Sequence, residues 1–221
     1  MTRQRSQFRR GGIPKLTAVL IAINALFWLI EISPFGDTFI TYLAYKPVFT
    51  AIAPWQMLTG AFLHDWNSPI HLLFNMYTLF IFGQVIEPML GKGRYLALYL
   101  ISAFGGSVAV LVFGDPAATV VGASGAIYGL MGAYFILLRA IGQPSGSLMG
   151  LIAINLVFSF MNQGISWQAH IGGLFVGAAI AGVYAATRRA QQKSMQIFGL
   201  AGIVVVLLAL TLYQVSVYKL F

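Results

Sequence analysis

Apolar residues in this chain come in long runs broken by short polar, proline- or glycine-containing stretches, and the runs predict the elements. The first predicts a helix over about 13 to 32, closed by Ser33-Pro34-Phe35-Gly36, where proline and glycine stop a helix. The connection that follows, roughly thirty residues, is too apolar for a free linker. It carries Phe39, Tyr42, Tyr45, Phe49, Trp55, Phe62 and Trp66, so it is expected to fold as short amphipathic pieces at a membrane interface, with His64 and Trp66 interfacial. Later runs predict helices over about 69–86, 95–113, 122–138, 148–161, 167–186 and 197–217. Glu87-Pro88, Gly91-Lys92-Gly93-Arg94, Gly114-Asp115-Pro116, Gln143-Pro144-Ser145-Gly146-Ser147 and Asn162-Gln163-Gly164 mark the breaks between them. Since roughly 20 apolar residues cross a bilayer, the pattern predicts seven spans. The fifth, 148–161, is short and is expected to tilt little or to sit unevenly across the membrane.

Composition agrees with a polytopic membrane protein. Of 221 residues, 59% are hydrophobic and 8% charged, with a mean hydropathy of +0.83. Seven spans leave no room for a soluble domain of ordinary size. The expected organisation is a basic cytoplasmic tail over 1–12, a six-helix core over 13–187, and a connector with a seventh helix over 188–221. The first run exceeds a signal-peptide core and lacks an obvious cleavage site, so it is expected to be retained.

The net charge of +8 does not point to nucleic acid, because the basic residues cluster at the ends of apolar runs. With the amino terminus inside, positions 3, 5, 9, 10, 15, 92, 94, 139, 188, 189 and 193 are cytoplasmic, leaving only Lys46 and Lys219 outside. That asymmetry orients the chain, with its carboxy terminus outside, as a multi-pass protein expected in a bacterial cytoplasmic membrane. It also makes the second, fourth and sixth spans run from outside to inside, so their amino-terminal turns lie in one leaflet. The chain has no cysteine, which excludes disulfides and thiolate chemistry.

Those three turns carry His71 and Asn75, Ser124, and His170, all expected at one depth. Hydroxyl, imidazole and amide groups are costly in hydrocarbon unless paired, so a shared polar cavity is expected. The chemistry this permits is acyl transfer: Ser124 as nucleophile and His170 as base. The five acids, Glu31, Asp37, Asp65, Glu87 and Asp115, fall at span ends or in loops, so the arrangement is a dyad with no carboxylate behind the imidazole. Tyr128, one turn below Ser124 on the same face, is the expected stacking surface for the ring. The Asn75 amide, the His71 ring and the backbone N–H of Ser124 are candidate oxyanion donors. Gly125, Gly129 and Gly132 on the fourth span, and Gly173 and Gly177 on the sixth, would let the two backbones approach closely.

Three motifs, His71-Leu-Leu-Phe-Asn75, Gly122-Ala-Ser124-Gly125 and Ala169-His170-Ile-Gly-Gly173-Leu-Phe-Val-Gly177, stand in an order that resembles the rhomboid family of intramembrane serine proteases. The stretch from Phe82-Gly83 through Glu87, then Gly91 to Arg94 and Tyr99, is similar to the family's second turn and third helix. The resemblance implies an all-α, six-helix rhomboid-like bundle, here with a C-terminal seventh helix. It also implies Ser124 as nucleophile, His170 as base, His71 and Asn75 on the oxyanion side and Tyr128 under the imidazole. Its implied substrates are transmembrane proteins cleaved near the outer membrane boundary, with locally unstable helices and a small residue before the scissile bond. No metal, cofactor or nucleic acid is called for, and the first loop and the fifth helix near Phe158 and Met161 would shape substrate access. Where the family often has Trp-Arg in the first loop, this chain has Trp55-Gln56. A non-catalytic rhomboid-like protein that binds membrane clients is the alternative reading.

Overall fold

The computed structural model describes residues 12–162 and 164–218. Arg3, Arg5, Arg9, Arg10 and the rest of the predicted tail up to residue 11, together with Gln163 and Lys219, lie outside the described residues. Those described are all-helical apart from short turns and one isolated bridge: α1 (Lys15–Glu31), α2 (Gly36–Leu43), α3 (Gln56–Thr59), α4 (Pro69–Leu90), α5 (Lys92–Phe113), α6 (Ser124–Ala140), α7 (Gly146–Met161), α8 (Trp167–Ala186) and α9 (Lys193–Tyr218). Among them, α4, α5, α8 and α9 are long and apolar enough to cross a membrane, whereas α6 and α7 are shorter apolar helices.

Several boundaries differ from the predicted ones. α4 passes through Pro88 to Leu90, and α5 starts at Lys92, so the expected four-residue turn is reduced to Gly91. Pro88 lies in the last turn, where it forfeits one hydrogen bond without stopping the helix; Gly91, with φ of 79°, is what reverses the chain. α6 begins at Ser124 instead of Gly122, because Gly122 has φ of 126° and its N–H is bonded to the Gly60 carbonyl at 3.0 Å. Ser124 is therefore the first residue of its helix instead of the third.

α6 is the central element, with every residue from Gly125 to Ala133 buried. Its glycine face meets α8 backbone to backbone: a Cβ on Gly173 would collide with the Gly125 carbonyl, and one on Gly177 with that of Gly129. The predicted close approach of the two helices is thus literal. α5 packs against both α6 and α8, and α9 packs outside α5 and α8. α7 is peripheral, burying only Leu148, Ile152 and Ser159 while Ile154, Val157, Phe158, Phe160 and Met161 face outward.

The buried face of α1 is mostly polar: Thr17, Leu20, Asn24 and Glu31. Glu87, expected at a chain break, is instead buried within α4 and grips the start of α1, accepting from the Leu16 N–H (3.1 Å), the Thr17 N–H (2.7 Å) and the Thr17 hydroxyl (2.8 Å). The carboxylate so satisfies amide groups that have no partner inside their own helix.

The connection between α1 and α4 consists of short pieces, α2, α3 and single 3-10 turns at Pro47–Phe49 and Gly60–Phe62. Phe35, Tyr42, Phe49, Ile52, Trp55 and Trp66 are exposed along it, as an interfacial segment requires. His64 is not interfacial: it is fully buried, its backbone N–H held by both Glu31 carboxylate oxygens (3.1 and 3.2 Å), while Trp66, two residues on, is exposed. Gln56, at the position where the resemblance leads one to expect arginine, is buried. It donates to the carbonyls of Thr41 and Tyr42 (3.4 and 3.3 Å) and accepts from the Lys46 N–H (3.4 Å), tying this segment to itself.

Candidate active site

Ser124, His170 and His71 each owe their place to a helix start. Ser124 opens α6, His170 is the fourth residue of α8, and His71 is the third of α4. Ser68 and Pro69 set the entrance of α4, proline being suited to a first helical position that needs no N–H. Ser166 caps α8, its hydroxyl accepting from the Ala169 N–H at 3.4 Å. The approach to Ser124 is pinned to the first connection by reciprocal Tyr45 and Val120 backbone bonds (3.2 and 2.8 Å) as well as by the Gly122 to Gly60 bond.

The glycine contact between α6 and α8 brings Ser124 Oγ to 2.8 Å from His170 Nε2. Ser124 is half-buried and His170 is 6% exposed. The Tyr128 ring lies 4.1 Å from the His170 ring, centroid to centroid, at an interplanar angle of 14°. This is a stacked pair whose aromatic face restricts rotation of the imidazole. On the ring's other edge, His170 Nδ1 is 2.8 Å from the hydroxyl of Ser159 on α7.

His71 stands beside the serine. A Cβ placed on Gly122 would lie 3.0 Å from His71 Cε1, 3.1 Å from its Nε2 and 3.7 Å from Ser124 Oγ, so the Nε2 edge of His71 and the serine hydroxyl flank the same point. Glycine is favoured here by its φ of 126°, and a Cβ would in addition crowd the His71 ring. His71 Nδ1 accepts from the Asp65 N–H at 3.2 Å, which leaves the hydrogen of a neutral ring on Nε2. Asn75 commits one amide hydrogen to the His71 carbonyl at 2.9 Å and keeps the second. The first N–H groups of α6 have no acceptor inside their helix and point out of its start.

No described carboxylate bonds to His170. Glu31 and Glu87 hold backbone at the two ends of α1, Asp65 and Asp115 accept from the N–H groups of Asn67 and Ala117 (both 2.9 Å), and Asp37 lies in the first turn of α2. The structure thus brings together Ser124, His170, Tyr128 and His71, with Asn75 one turn along from His71. Gly125, Gly129, Gly173 and Gly177 form the helix contact behind them. Sequence reading missed Ser159, whose only signal is a hydroxyl in a largely apolar helix that also carries Ser147 and Asn155, and Asp65, which acts here through its backbone.

The Rhomboid domain family model matches residues 52–188, a stretch that contains all of these groups. Among known proteins, the chain is 35% identical to Rhomboid protease GluP of Bacillus subtilis over 76% of its own length, which is 34% of that longer protein. It is 32% identical to Rhomboid protease GlpG of Haemophilus influenzae, over 74% of this chain and 87% of that one. It is 31% identical to Rhomboid protease GlpG of Pectobacterium atrosepticum, over 76% and 62% respectively. With a family match over more than half the chain and relatives above 30% identity, this membrane protein belongs to the rhomboid family.

Proposed function

We propose that the chain is an intramembrane serine endopeptidase that hydrolyses a peptide bond of a membrane-anchored protein near the outer boundary of the bilayer. The observation that carries this reading is the 2.8 Å separation of Ser124 Oγ and His170 Nε2. Such a contact lets the imidazole take the hydroxyl proton as the oxygen attacks. In the first half-reaction the Oγ–carbonyl bond forms and the Oγ proton passes to Nε2. The C–N bond then breaks as Nε2 returns that proton to the leaving nitrogen. In the second, water loses a proton to Nε2 while its oxygen attacks the ester, and the proton returns to Oγ as the serine departs. The oxyanion of each step would lie between the free N–H groups at the start of α6, the His71 Nε2–H and the second Asn75 amide hydrogen.

Two further parts belong to the same reading. A peptide bond within an intact helix is closed to attack, so the substrate must unwind locally, consistent with a preference for unstable helices and a small residue before the scissile bond. The chain would cross the membrane seven times with its amino terminus in the cytoplasm, so that α4, α6 and α8 all start on the outer side.

A serine-directed fluorophosphonate tests the proposal. Purified wild type should be labelled, and Ser124→Ala and His170→Ala should not. Labelling of Ser124→Ala at the wild-type rate would overturn it. A wild type that is inert but retains a transmembrane client would favour the non-catalytic alternative.

A further inference from the structure

The proposed reaction uses only one edge of the His170 ring, yet the other edge is also held. Ser159, on the inward face of α7 and 2% exposed, places its Oγ 2.8 Å from His170 Nδ1, 2.8 Å from the Asn155 carbonyl and 3.4 Å from the Tyr128 hydroxyl. A serine hydroxyl has one hydrogen, and a carbonyl can only accept, so the hydrogen of Ser159 goes to Asn155. What Ser159 turns toward the imidazole is therefore a lone pair. The group facing that lone pair must be an Nδ1–H, and a neutral ring with its hydrogen on Nδ1 has a bare Nε2 directed at Ser124. The reverse tautomer would require Ser159 to abandon Asn155 and would leave Ser124 without a base.

We infer that Ser159 is the positioning residue of the dyad: its oxygen accepts from His170 Nδ1–H, selects the tautomer able to take the Ser124 proton, and keeps accepting once the ring has become imidazolium. It occupies the place that a carboxylate fills in a Ser-His-Asp triad. A neutral hydroxyl does this without burying a charge among apolar helices, which is expensive in a membrane. The groups against the ring from other elements are Tyr128 and Ser124 on α6, with the His71 ring beyond from α4; α5 brings Gly106 to the neighbouring Ala169 carbonyl. None of these supplies a second acceptor to Nδ1. Because Ser159 is the one polar residue among the three that α7 buries, the orientation of the base also depends on where that peripheral helix sits.

The inference rests on the Ser124 and His170 reading, and the experiment separates the two. Ser159→Thr and Ser159→Val have nearly the same shape, but only threonine keeps a hydroxyl able to bond residue 155 and accept from Nδ1. Turnover of a transmembrane reporter in proteoliposomes should be close to wild type for Ser159→Thr. In Ser159→Val, kcat should be lower by about 10- to 100-fold with KM within about twofold, measured at a temperature where thermal unfolding shows the variant fully folded. The chain has three histidines, so 15N-ring labelling with His170→Ala as the assignment control reads the tautomer directly. Wild type and Ser159→Thr should carry the neutral ring's hydrogen on Nδ1, and Ser159→Val should lose that single tautomer. Equal kcat in the threonine and valine variants would overturn the inference, as would a wild-type hydrogen on Nε2, a result that needs no variant to fold. Activity surviving in Ser124→Ala would refute the parent reading instead.

Discussion

Gly177→Ala tests whether the active-site contact depends on the helix contact behind it. Gly177 lies seven residues along α8 from His170, about two turns or ~10 Å, so the change touches neither Ser124 nor His170 directly. An ideal Cβ there would stand 2.5 Å from both the carbonyl carbon and Cα of Gly129, and closer still to its oxygen. Carbon atoms settle at about 3.5 Å or more, so the two backbones must part by about 1 Å. Neither can swing aside as a side chain would. The strain should cost about 1–3 kcal/mol of stability, as overpacking does. The functional effect should be larger. Parting α6 from α8 lengthens the 2.8 Å contact of Ser124 and His170 beyond hydrogen-bond reach, and a displacement of that size lowers turnover by about 100-fold. Reporter turnover in proteoliposomes, fluorophosphonate labelling rate and thermal unfolding should be measured together. The control is Gly182→Ala on the same helix, where a Cβ would meet nothing within 4 Å. It should keep wild-type activity and gain up to about 1 kcal/mol. Turnover of Gly177→Ala within twofold of wild type, or equal damage from Gly182→Ala, would refute the claim that this glycine contact sets the dyad distance.

Three other outcomes are expected. Tyr128→Phe keeps the stacked ring and should stay near wild type in kcat, whereas Tyr128→Leu should lose about 0.5–1.5 kcal/mol of ring positioning, roughly 2- to 13-fold in turnover. Glu87→Ala leaves the first amides of α1 without their acceptor and should cost about 2–4 kcal/mol in a denaturation assay, with Glu87→Gln recovering at least half. Burial first, and the adjacent His71 ring second, push His64 down to about 3 from an ordinary 6.5, so below pH 6.5 the unfolded chain binds a proton that the folded chain refuses. Stability should therefore fall with acidification, His64 contributing up to about 1.4 kcal/mol per pH unit, and His64→Leu should flatten the slope of unfolding free energy between pH 6.5 and 5.

The apolar runs were enough to locate the principal helices, because a segment that must satisfy its own backbone in hydrocarbon announces itself by length and lack of charge. They were less able to end them. Pro88 and Gly91 look like equivalent breaks in the chain, but a proline in a last turn is tolerated, and only the glycine adopts the φ that reverses direction. The polar residues stranded in apolar surroundings were equally legible, which is why Ser124, His170, His71 and Asn75 stood out. The glycine spacing on α6 and α8 likewise announced a close contact.

Partners across the fold were another matter. A hydropathy pattern places a residue on a helix but does not say which of three imidazoles its hydroxyl will meet; that choice came from glycine backbones 40 to 50 residues apart fitting together and carrying Ser124 to His170. Ser159 and Asp65 could not be found by pattern, since one is a hydroxyl on a helix that also carries Ser147 and Asn155, with only packing to show which of the three turns inward, and the other acts through a main-chain N–H. His64 and Trp66 read alike in sequence, yet one is buried against the Glu31 carboxylate and the other left outside. Sequence alone determined which residues had to escape the lipid. Which of them escape together was decided only by the packing, because a hydrogen bond depends on ångström-scale distance and direction, and those exist only once the helices are assembled.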